Sequence, residues 1–202
     1  MNRHLLSVIL CTGFATSSYA QCVKLGVKAG LNSSTLTTFV SALDTDKISR
    51  KQGLHLGATA NLAFSRYFSV QSELLFAEQG AKAASDSKFT YNLNYLNLPV
   101  LGRFTVKGFF LESGPQLNFL LAAHNKHNEY SRDIRAGMKP VTLGYAAGLG
   151  YGFSNGIQLG ARYHADITKP FNYYVSEDAS LNGRAPRNST FQLYAGYVLP
   201  CF

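Results

Sequence analysis

Along most of this sequence, apolar and polar residues alternate one by one, and the alternation recurs in eight separate segments. Successive side chains of a β-strand point to opposite faces, so each segment is predicted to be a strand with one apolar and one polar face. In the fourth segment the phase of the alternation slips after Tyr95, which predicts a β-bulge near that residue. The segments lie at about residues 23–31, 54–64, 68–76, 89–104, 109–121, 141–153, 157–167 and 191–199.

The connections between these segments are alternately long and short. The short ones lie at 65–67, 105–108 and 154–156, and the last contains Asn155-Gly156, a strong signal for a two-residue hairpin. The long ones are polar and lie at about 32–52, 77–88, 122–139 and 169–188. This order is typical of an up-and-down barrel with short periplasmic turns and long outer loops, and it places both chain ends on the short-turn side.

The alternation alone does not say which face meets water, because a soluble barrel such as a lipocalin shows the same pattern. Three features favour a membrane barrel. Only 15% of residues are charged, and the polar face is rich in Gly, Asn, Gln and Thr, whereas a soluble exterior carries many Lys and Glu. Segments of this length can cross a bilayer at a tilt. Aromatic residues near segment ends suit girdles at two membrane interfaces, namely Phe64, Phe68, Phe76, Phe109, Phe153, Tyr163 and Tyr197.

The fold predicted for residues 21–202 is therefore an all-β, eight-stranded antiparallel up-and-down transmembrane β-barrel. A helical membrane protein is excluded, because past residue 20 no apolar run approaches the ~18 residues that a membrane helix needs. The composition also excludes a disordered polar chain, since 46% of the residues are hydrophobic.

Residues 1–20 resemble a signal peptide for export. Arg3 and His4 give a basic start, residues 5–15 are apolar, and Ser18-Tyr19-Ala20 is a small-x-small cleavage site. The alternative is a short anchor helix. Export excludes nucleic acid as the partner that would explain the net charge of +8.

The predicted inward face carries charged residues, which must be paired because an isolated buried ion is costly. We expect a structural ionic network, with a gated solute pathway as the alternative. Eight strands leave an interior just wide enough for side chains, so we do not expect an open pore. Arg162 and Tyr194 are predicted to fill space beside the glycines of segment 141–153. The predicted network comprises Lys24, Lys28, Glu73, Arg103, Glu112, Arg162, His164 and Asp166, with His55 on the same face.

An enzyme is not expected, nor is a cofactor. A lipid-modifying site would need a nucleophile and a base, for which His124, His127 or His164 with Ser131 or Ser176 are the candidates. No spacing among them supports a catalytic triad. His124 and His127 lack further ligands in a recognisable metal-binding pattern.

The 122–139 connection is predicted to be a basic surface at the outer rim. Lys126, Arg132, Arg135 and Lys139 outnumber Glu129 and Asp133. Such a surface could lie against the phosphates of lipopolysaccharide, which with outer-membrane lipid is an expected partner. The alternative is a solvated loop.

Cys22 and Cys201 lie near the two ends of the predicted mature chain. In a closed barrel the first and last strands pair, so both cysteines are expected at the periplasmic rim, in an oxidising compartment. This predicts a disulfide that joins the ends of the barrel. Two free thiols, too far apart to bond, are the alternative.

Several stretches together resemble the PorT-like outer-membrane beta-barrel domain family: VKLGVKAGLNSS (23–34), YLNLPVLGRF (95–104), ESGPQLNFLL (112–121), LGYAAGLGYGFSNGIQLGARYHADIT (143–168) and FQLYAGYVLP (191–200). The resemblance implies an eight-stranded barrel in the outer membrane of a Gram-negative cell, inserted by the barrel-assembly machinery. Family members typically end in an aromatic strand, whereas here Pro200 and Cys201 shift Phe202 out of phase with Tyr197. The name-giving member is associated with secretion and gliding machinery, so secretion-complex proteins are possible partners.

The function expected from the sequence is that of a non-enzymatic outer-membrane barrel, structural or adhesive, with its loops as the interaction surface. A component of a secretion assembly is the second interpretation. A lipid-A modifying enzyme is the third.

Overall fold

The computed structural model describes residues 23–37, 48–83, 89–127, 130–168 and 187–200. The predicted signal segment 1–20, Cys22, Cys201, Phe202 and Ser176 lie outside these residues. The described chain is almost entirely β-strand, with one short 3-10 helix at Arg135–Gly137. The strands are β1 Val23–Thr37, β2 Ile48–Ala63, β3 Phe68–Ala83, β4 Phe89–Val106, β5 Phe109–His127, β6 Tyr130–Asp133, β7 Val141–Gly152, β8 Ile157–Asp166 and β9 Arg187–Val198.

Eight of these strands close into a barrel. Each pairs antiparallel with its neighbours in the ring β1-β2-β3-β4-β5-β7-β8-β9, and the pairing of β1 with β9 completes the circle. The short strand β6 pairs only with the end of β5, as a hairpin that extends the long-connection side. The prediction of an eight-stranded antiparallel up-and-down barrel is confirmed.

The strands are staggered around the barrel. Following paired residues once around the ring, a path that leaves β1 at Val23 returns to β1 at Ser33, ten residues further along. A closed barrel with such a shear has strands tilted by roughly 35–45° to its axis. Because of this tilt, residues on distant strands of the ring can meet at one height inside the barrel.

The large apolar side chains of the strands point outward. Leu25, Val27, Leu56 and Leu111 are each more than half exposed, whereas the residues between them along the strands face inward. At the short-turn end the outward rings form edge contacts: Tyr151 packs against Phe109 and Phe153 with centroids 4.8 and 4.9 Å apart. An apolar band ending in aromatic rings is the surface that a bilayer requires of a barrel, and the predicted orientation is confirmed.

The irregularity predicted near Tyr95 is present, but the extra residue belongs to the partner strand. The β4–β5 register shifts between Asn94 and Tyr95, because Asn94 pairs with Ala122 and Tyr95 with Leu120, which leaves Leu121 of β5 between them. Strand β4 itself alternates without a break. The prediction of a bulge in β4 is therefore wrong as to the strand.

The slip in the apolar pattern has another cause. Leu93 and Tyr95 point inward, on the same side of β4 as Asn97 and Leu101, because the outer part of the interior is itself partly apolar. They pack in a cluster with Leu120, Ala123 and Met138. An inward apolar residue next to outward ones looks like a change of phase in the sequence.

The short connections differ in length: residues 64–67 join β2 to β3, whereas Lys107 and Gly108 alone join β4 to β5. The two-residue turn predicted at Asn155-Gly156 is wrong, because the Phe153 N–H donates to Ile157 O at 2.8 Å and closes a three-residue loop, 154–156. In this loop Gly156 has φ 90°, the left-handed residue that ends a three-residue hairpin loop, and Asn155 Oδ1 accepts a hydrogen bond from the Ile157 N–H at 3.1 Å. The turn between β4 and β5 places Lys107 and Gly108 at φ 50° and 87°. Among the described residues, no helix has the length and apolar character to cross a membrane.

Candidate functional site

The centre of the barrel interior is an ionic cluster built around Arg162 of β8. Its guanidinium donates to both oxygens of Glu73, at 2.7 and 2.9 Å, and to Oε1 of Glu112, at 2.9 and 2.5 Å. Glu73 lies on β3, the strand opposite β8 in the eight-membered ring. The contact between Arg162 and Glu73 therefore spans the interior from wall to wall.

Two further cations extend the cluster to β1 and β4. Lys28 Nζ lies 2.6 Å from Glu73 Oε1, and it also lies 3.8 Å from the centroid of the Tyr194 ring. Arg103 donates to Glu112 Oε2 at 2.7 and 3.2 Å. All five charged side chains are at least 96% buried. Three cations share two carboxylates, so each carboxylate is bound by at least two positive groups.

Neutral groups complete the hydrogen bonding of the carboxylates. Gln71 donates to Glu73 at 2.5 Å, and the Tyr194 hydroxyl donates to Glu112 at 2.9 Å. Arg103 also donates to Gln158 Oε1 at 3.0 Å. A buried ion pair is stable only when the remaining lone pairs and protons are satisfied in this way.

Glycines on the inward face make room for the large side chains. A Cβ at Gly160 would lie 2.5 Å from the Tyr194 ring, and one at Gly150 would lie 2.4 Å from Phe110. A Cβ at Gly148 would lie 3.2 Å from Cα and Cβ of Arg162. Arg162 lies beside a glycine of β7, as expected from the sequence, whereas Tyr194 lies beside Gly160 of β8 and not beside the glycines of segment 141–153 named in that expectation.

The structure places seven of the eight predicted network residues inside the barrel, in two groups. Lys28, Glu73, Arg103, Glu112 and Arg162 form the ionic cluster, and His164 and Asp166 form a second contact. Lys24 is exposed, and its assignment to the interior network is wrong. It has the inward parity of Lys28, but it is the second residue of β1, where the barrel opens to water.

The second group lies on the outer side of the ionic cluster. His164 Nε2 is 3.2 Å from Asp166 Oδ1, and Asn118 donates to the same carboxylate oxygen at 2.8 Å. Asn118 is also within 3.3 Å of Thr142 Oγ1. Asp166 has no Lys or Arg partner among the described residues, in contrast to Glu73 and Glu112.

A neutral polar network on the opposite wall was not singled out from the sequence. Asn32 uses its whole amide: Oδ1 accepts from His55 at 2.7 Å and from Gln192 at 3.1 Å, and Nδ2 donates to two backbone carbonyls, at 3.0 and 3.2 Å. Closer to the outer end, Thr190 donates to Ser34 at 3.1 Å, and Asn188 donates to Gln79. Inward parity is the only sequence signal for these residues, because they carry no charge.

Unpartnered polar atoms are confined to the outer part of the interior. In the part of the chain that the structure describes, buried atoms without a hydrogen bond are His55 Nε2, Gln79 Nε2, Tyr95 Oη, both amide atoms of Asn97, Asn125 Oδ1, His164 Nδ1, Asp166 Oδ2 and Asn188 Oδ1. All belong to residues on the outer side of the ionic cluster. The interior is thus fully bonded at the cluster and less completely bonded beyond it.

An apolar cluster covers one side of this outer part. Met138 is buried against Leu93, Tyr95, Leu120 and Ala123, and Ile134 packs on the same cluster. Backbone bonds fix the segment that carries Met138: the Ile134 N–H donates to Ala123 O at 3.0 Å, and the Leu120 N–H donates to Pro140 O at 2.8 Å. Residues 134–140 therefore lie against β5 at the bulge.

The residues considered for a hydrolytic site lie in separate places. His124 of β5 pairs with Asp133 on the β5–β6 hairpin, which also carries Ser131. His164 is buried inside the barrel, whereas Ser131 is exposed on the β5–β6 hairpin. His127 belongs to the end of that hairpin, where its side chain is outside the described set. Among the described residues, no group of three or more His, Cys, Asp or Glu side chains could hold a metal ion.

Comparison with protein families identifies the class of barrel. The sequence profile of the outer membrane protein beta-barrel domain family matches residues 19–172, more than half of the 202-residue chain. The chain belongs to this family. It is an outer-membrane β-barrel, so its short turns face the periplasm and its long connections face the cell exterior.

Solved structures show the same fold. Neisserial surface protein A is similar with a TM-score of 0.56 and 11% identity, over 86% of this chain and 96% of that one. Ail, the attachment invasion locus protein of Yersinia pestis, is similar with a TM-score of 0.50 and 16% identity, over 89% of this chain and 99% of that one. At these identities the likeness concerns the outer-membrane barrel fold alone. No curated protein sequence matches the chain.

Proposed function

We propose that this outer-membrane barrel is a non-enzymatic protein with a closed interior, and that its outer surface provides structure or interaction. The observation that carries the proposal is the contact between Arg162 and Glu73, which joins opposite walls at 2.7 Å. Lys28, Arg103, Glu112 and Tyr194 fill the same level of the barrel. Side chains bonded across the full width leave no passage for hydrated ions or solutes.

Reconstitution in planar lipid bilayers tests the closed interior. We expect no steady conductance from the folded protein. The variant Gln158→Ala is a suitable comparison, because it shortens a residue at the periplasmic end of the cluster while the Arg162 contacts remain. Stable ohmic single-channel steps from the wild-type protein would contradict the proposal.

We propose lipopolysaccharide as the partner of the outer rim. Arg50, Lys82, Arg132, Arg135 and Lys139 are exposed on the long-connection side of the barrel, and the β5–β6 hairpin adds exposed Asp133. Arginine and lysine bind phosphate by charge-assisted hydrogen bonds. The side chains of Lys126 and Glu129, which belong to the same predicted basic surface, lie outside the described set.

Binding of lipopolysaccharide can be measured with detergent-solubilised protein. We expect retention to fall when Arg132, Arg135 and Lys139 are all replaced by Gln, and to fall with rising salt. The replacement Lys24→Gln, which removes one positive charge at the periplasmic end, serves as the control for loss of charge away from the outer rim. Retention unchanged in the triple variant would leave the solvated-loop interpretation as the better one.

The PorT-like resemblance supports a second candidate, a component of a protein-secretion assembly. Such a protein would co-purify with defined partners after mild detergent extraction, whereas the first candidate would be isolated with lipid and, during biogenesis, with the barrel-assembly machinery. Identification of the co-purifying proteins by mass spectrometry distinguishes the two. Lipid-A profiles of a deletion strain test the third interpretation, a lipid-modifying enzyme.

A further inference from the structure

The periplasmic end of the barrel carries positive charge. Lys24, Arg66 and Lys107 are exposed there, and the described residues of this end include no Asp or Glu. Lys107 has φ 50°, a left-handed conformation for which Gly, Asn and Asp are the usual residues. The backbone of that turn therefore does not favour lysine. Positive charge is the property that distinguishes Lys107 from Gly, Asn and Asp.

Next to these turns, the lipid-facing surface of the barrel contains an apolar groove of about 470 Å³. Gly102 of β4 and Ser113 of β5, which pair with each other, form its floor. The Phe68 and Phe104 rings, with centroids 4.8 Å apart, lie on one side, and Leu111 lies on the other. The groove faces the hydrocarbon of the membrane.

The groove exists because the sequence leaves space at Gly102. A Cβ there would meet nothing nearer than the Ser113 carbonyl oxygen at 3.7 Å, which is ordinary contact. By comparison, a Cβ at Gly114 would lie 2.1 Å from the Val100 carbonyl oxygen. Packing within the barrel therefore accounts for Gly114 but not for Gly102.

Two of the cations flank the periplasmic end of the groove. The Thr105 N–H donates to Tyr67 O at 2.8 Å, which ties the turn 64–67 to the end of β4. Arg66 is in that turn, with its guanidinium carbon 5.8 Å from the Tyr67 ring centroid, and Lys107 follows Thr105 by two residues. The Tyr67 ring in turn lies 6.3 Å from Phe104, which lines the groove.

We propose that this surface is a binding site for an anionic phospholipid of the periplasmic leaflet. The phosphate lies between Arg66 and Lys107 at the membrane surface, and one acyl chain lies in the groove over Gly102. Two cations without a neighbouring carboxylate favour a lipid with a net negative charge over a zwitterionic one, whose own ammonium group opposes them. The site lies on the lipid-facing surface of the barrel, so lipid binding there does not depend on whether the interior conducts.

The test is retention of defined lipids. The protein is reconstituted in nanodiscs with equal amounts of phosphatidylglycerol and phosphatidylcholine of matched acyl chains, transferred to mild detergent, and analysed by native mass spectrometry. We expect wild-type protein to retain phosphatidylglycerol preferentially. Each charge removed by Arg66→Gln or Lys107→Asn should lower that preference by about fivefold, given ~1 kcal/mol for each cation near an anionic surface.

Filling the groove tests the position of the acyl chain. Gly102→Leu is expected to reduce retention of both lipids, because its side chain occupies the space. Ala58→Leu, which adds a large side chain to the exposed face of β2, is the bulk-matched control. Lys24→Gln, at the same end of the barrel but on β1 and outside the lining of the groove, is the charge-matched one. Neither control should alter retention.

Three outcomes would overturn the proposal: equal retention of the two lipids by wild-type protein, a loss in Lys24→Gln as large as in Lys107→Asn, or unchanged retention in Gly102→Leu. Folding of each variant is checked by the mobility shift of the unheated barrel in detergent gels. Asn suits the left-handed turn position, so Lys107→Asn tests the charge even if Gly102→Leu fails to fold. In that event Gly102→Ala provides the smaller test of the groove.

Discussion

Arg162 on β8 and Glu73 on β3 lie on opposite walls of the barrel, and their side chains meet at 2.7 Å with both partners almost completely buried. Glu112 binds the other side of the same guanidinium. The two carboxylates therefore share Arg162. Each also has a second cation of its own, Lys28 for Glu73 and Arg103 for Glu112.

Removal of the shared cation should strongly destabilise the barrel. Arg162→Met leaves two buried carboxylates with one cation each, and breaking a buried ion pair typically costs about 3–5 kcal/mol. We expect the free energy of unfolding to fall by roughly that amount. Urea titration in detergent, followed by circular dichroism because the chain has no tryptophan, measures the change. Lys24→Met, at an exposed site, should change the stability by no more than about 0.5 kcal/mol; a comparable loss in both variants would speak against the central role of Arg162.

A side chain at position 160 should conflict with Tyr194. Gly160→Val places Cβ 2.5 Å from the Tyr194 ring, and overpacking of this kind costs about 1–3 kcal/mol. In the double variant Gly160→Val with Tyr194→Ala the steric conflict is gone. Its loss of stability should therefore be smaller than the sum of the losses in the two single variants. Gly152→Ala is the control, because a Cβ there meets nothing nearer than 3.7 Å. Additive effects of the two substitutions would contradict this account of the inward glycines.

Two buried asparagines should respond in opposite ways to the same substitution. Asn32 and Asn97 are both 0% exposed, but Asn32 makes four hydrogen bonds, whereas neither amide atom of Asn97 has a described partner. Loss of a buried partner costs about 1–3 kcal/mol, whereas an apolar group in place of an unbonded one relieves a similar penalty. We expect Asn32→Leu to lower the unfolding free energy and Asn97→Leu to raise it. Equal losses in the two variants would show that Asn97 is bonded in the folded protein.

The disulfide between Cys22 and Cys201 remains a prediction, since both residues lie outside the described set. The strand pairing next to them supports it: the Leu199 N–H donates to Leu25 O at 2.7 Å, and Val198 pairs with Gly26. Alkylation without reductant, followed by mass spectrometry, should leave both thiols unmodified in protein exported to the periplasm. Closing so long a loop should stabilise the barrel by about 4–5 kcal/mol in the chain-entropy treatment, measured as the loss in Cys201→Ser. Alkylation of both thiols would refute the pairing.

The orientation was predicted from the few charges on the polar face and the aromatic residues near segment ends, and the closed barrel from the alternation of short and long connections. The period-two pattern predicted the strands, because a strand allows only two faces. It also placed Lys28, Glu73 and Arg162 on the inward face. It did not predict which of them meet, since parity assigns a face but not a height. Height follows from the ten-residue stagger of the ring, and that stagger depends on hydrogen-bond register.

The errors have the same origin. Lys24 has inward parity but lies at the open end of β1, where an inward residue is wet. The pattern around Tyr95 predicts a bulge only if every inward residue is polar, whereas Tyr95 points inward and packs with Leu120 and Met138. The extra residue of β5, Leu121, changes which face the following residues of β5 point to. A leucine is common on either face, so its residue type does not indicate the bulge.

The cross-wall contacts made by Arg162 lie at one level, and beyond that level the interior holds neutral amides, a histidine–aspartate contact and several unbonded atoms. Sideways compression by the surrounding lipid is thus resisted by ionic bonds in the periplasmic half, and near the exterior by weaker dipolar contacts and by the apolar cluster around Met138 on one side. Elliptical distortion of the cross-section should consequently grow toward the cell surface. The end of the molecule that carries the loops is then the compliant end, while the end that faces the periplasm stays round.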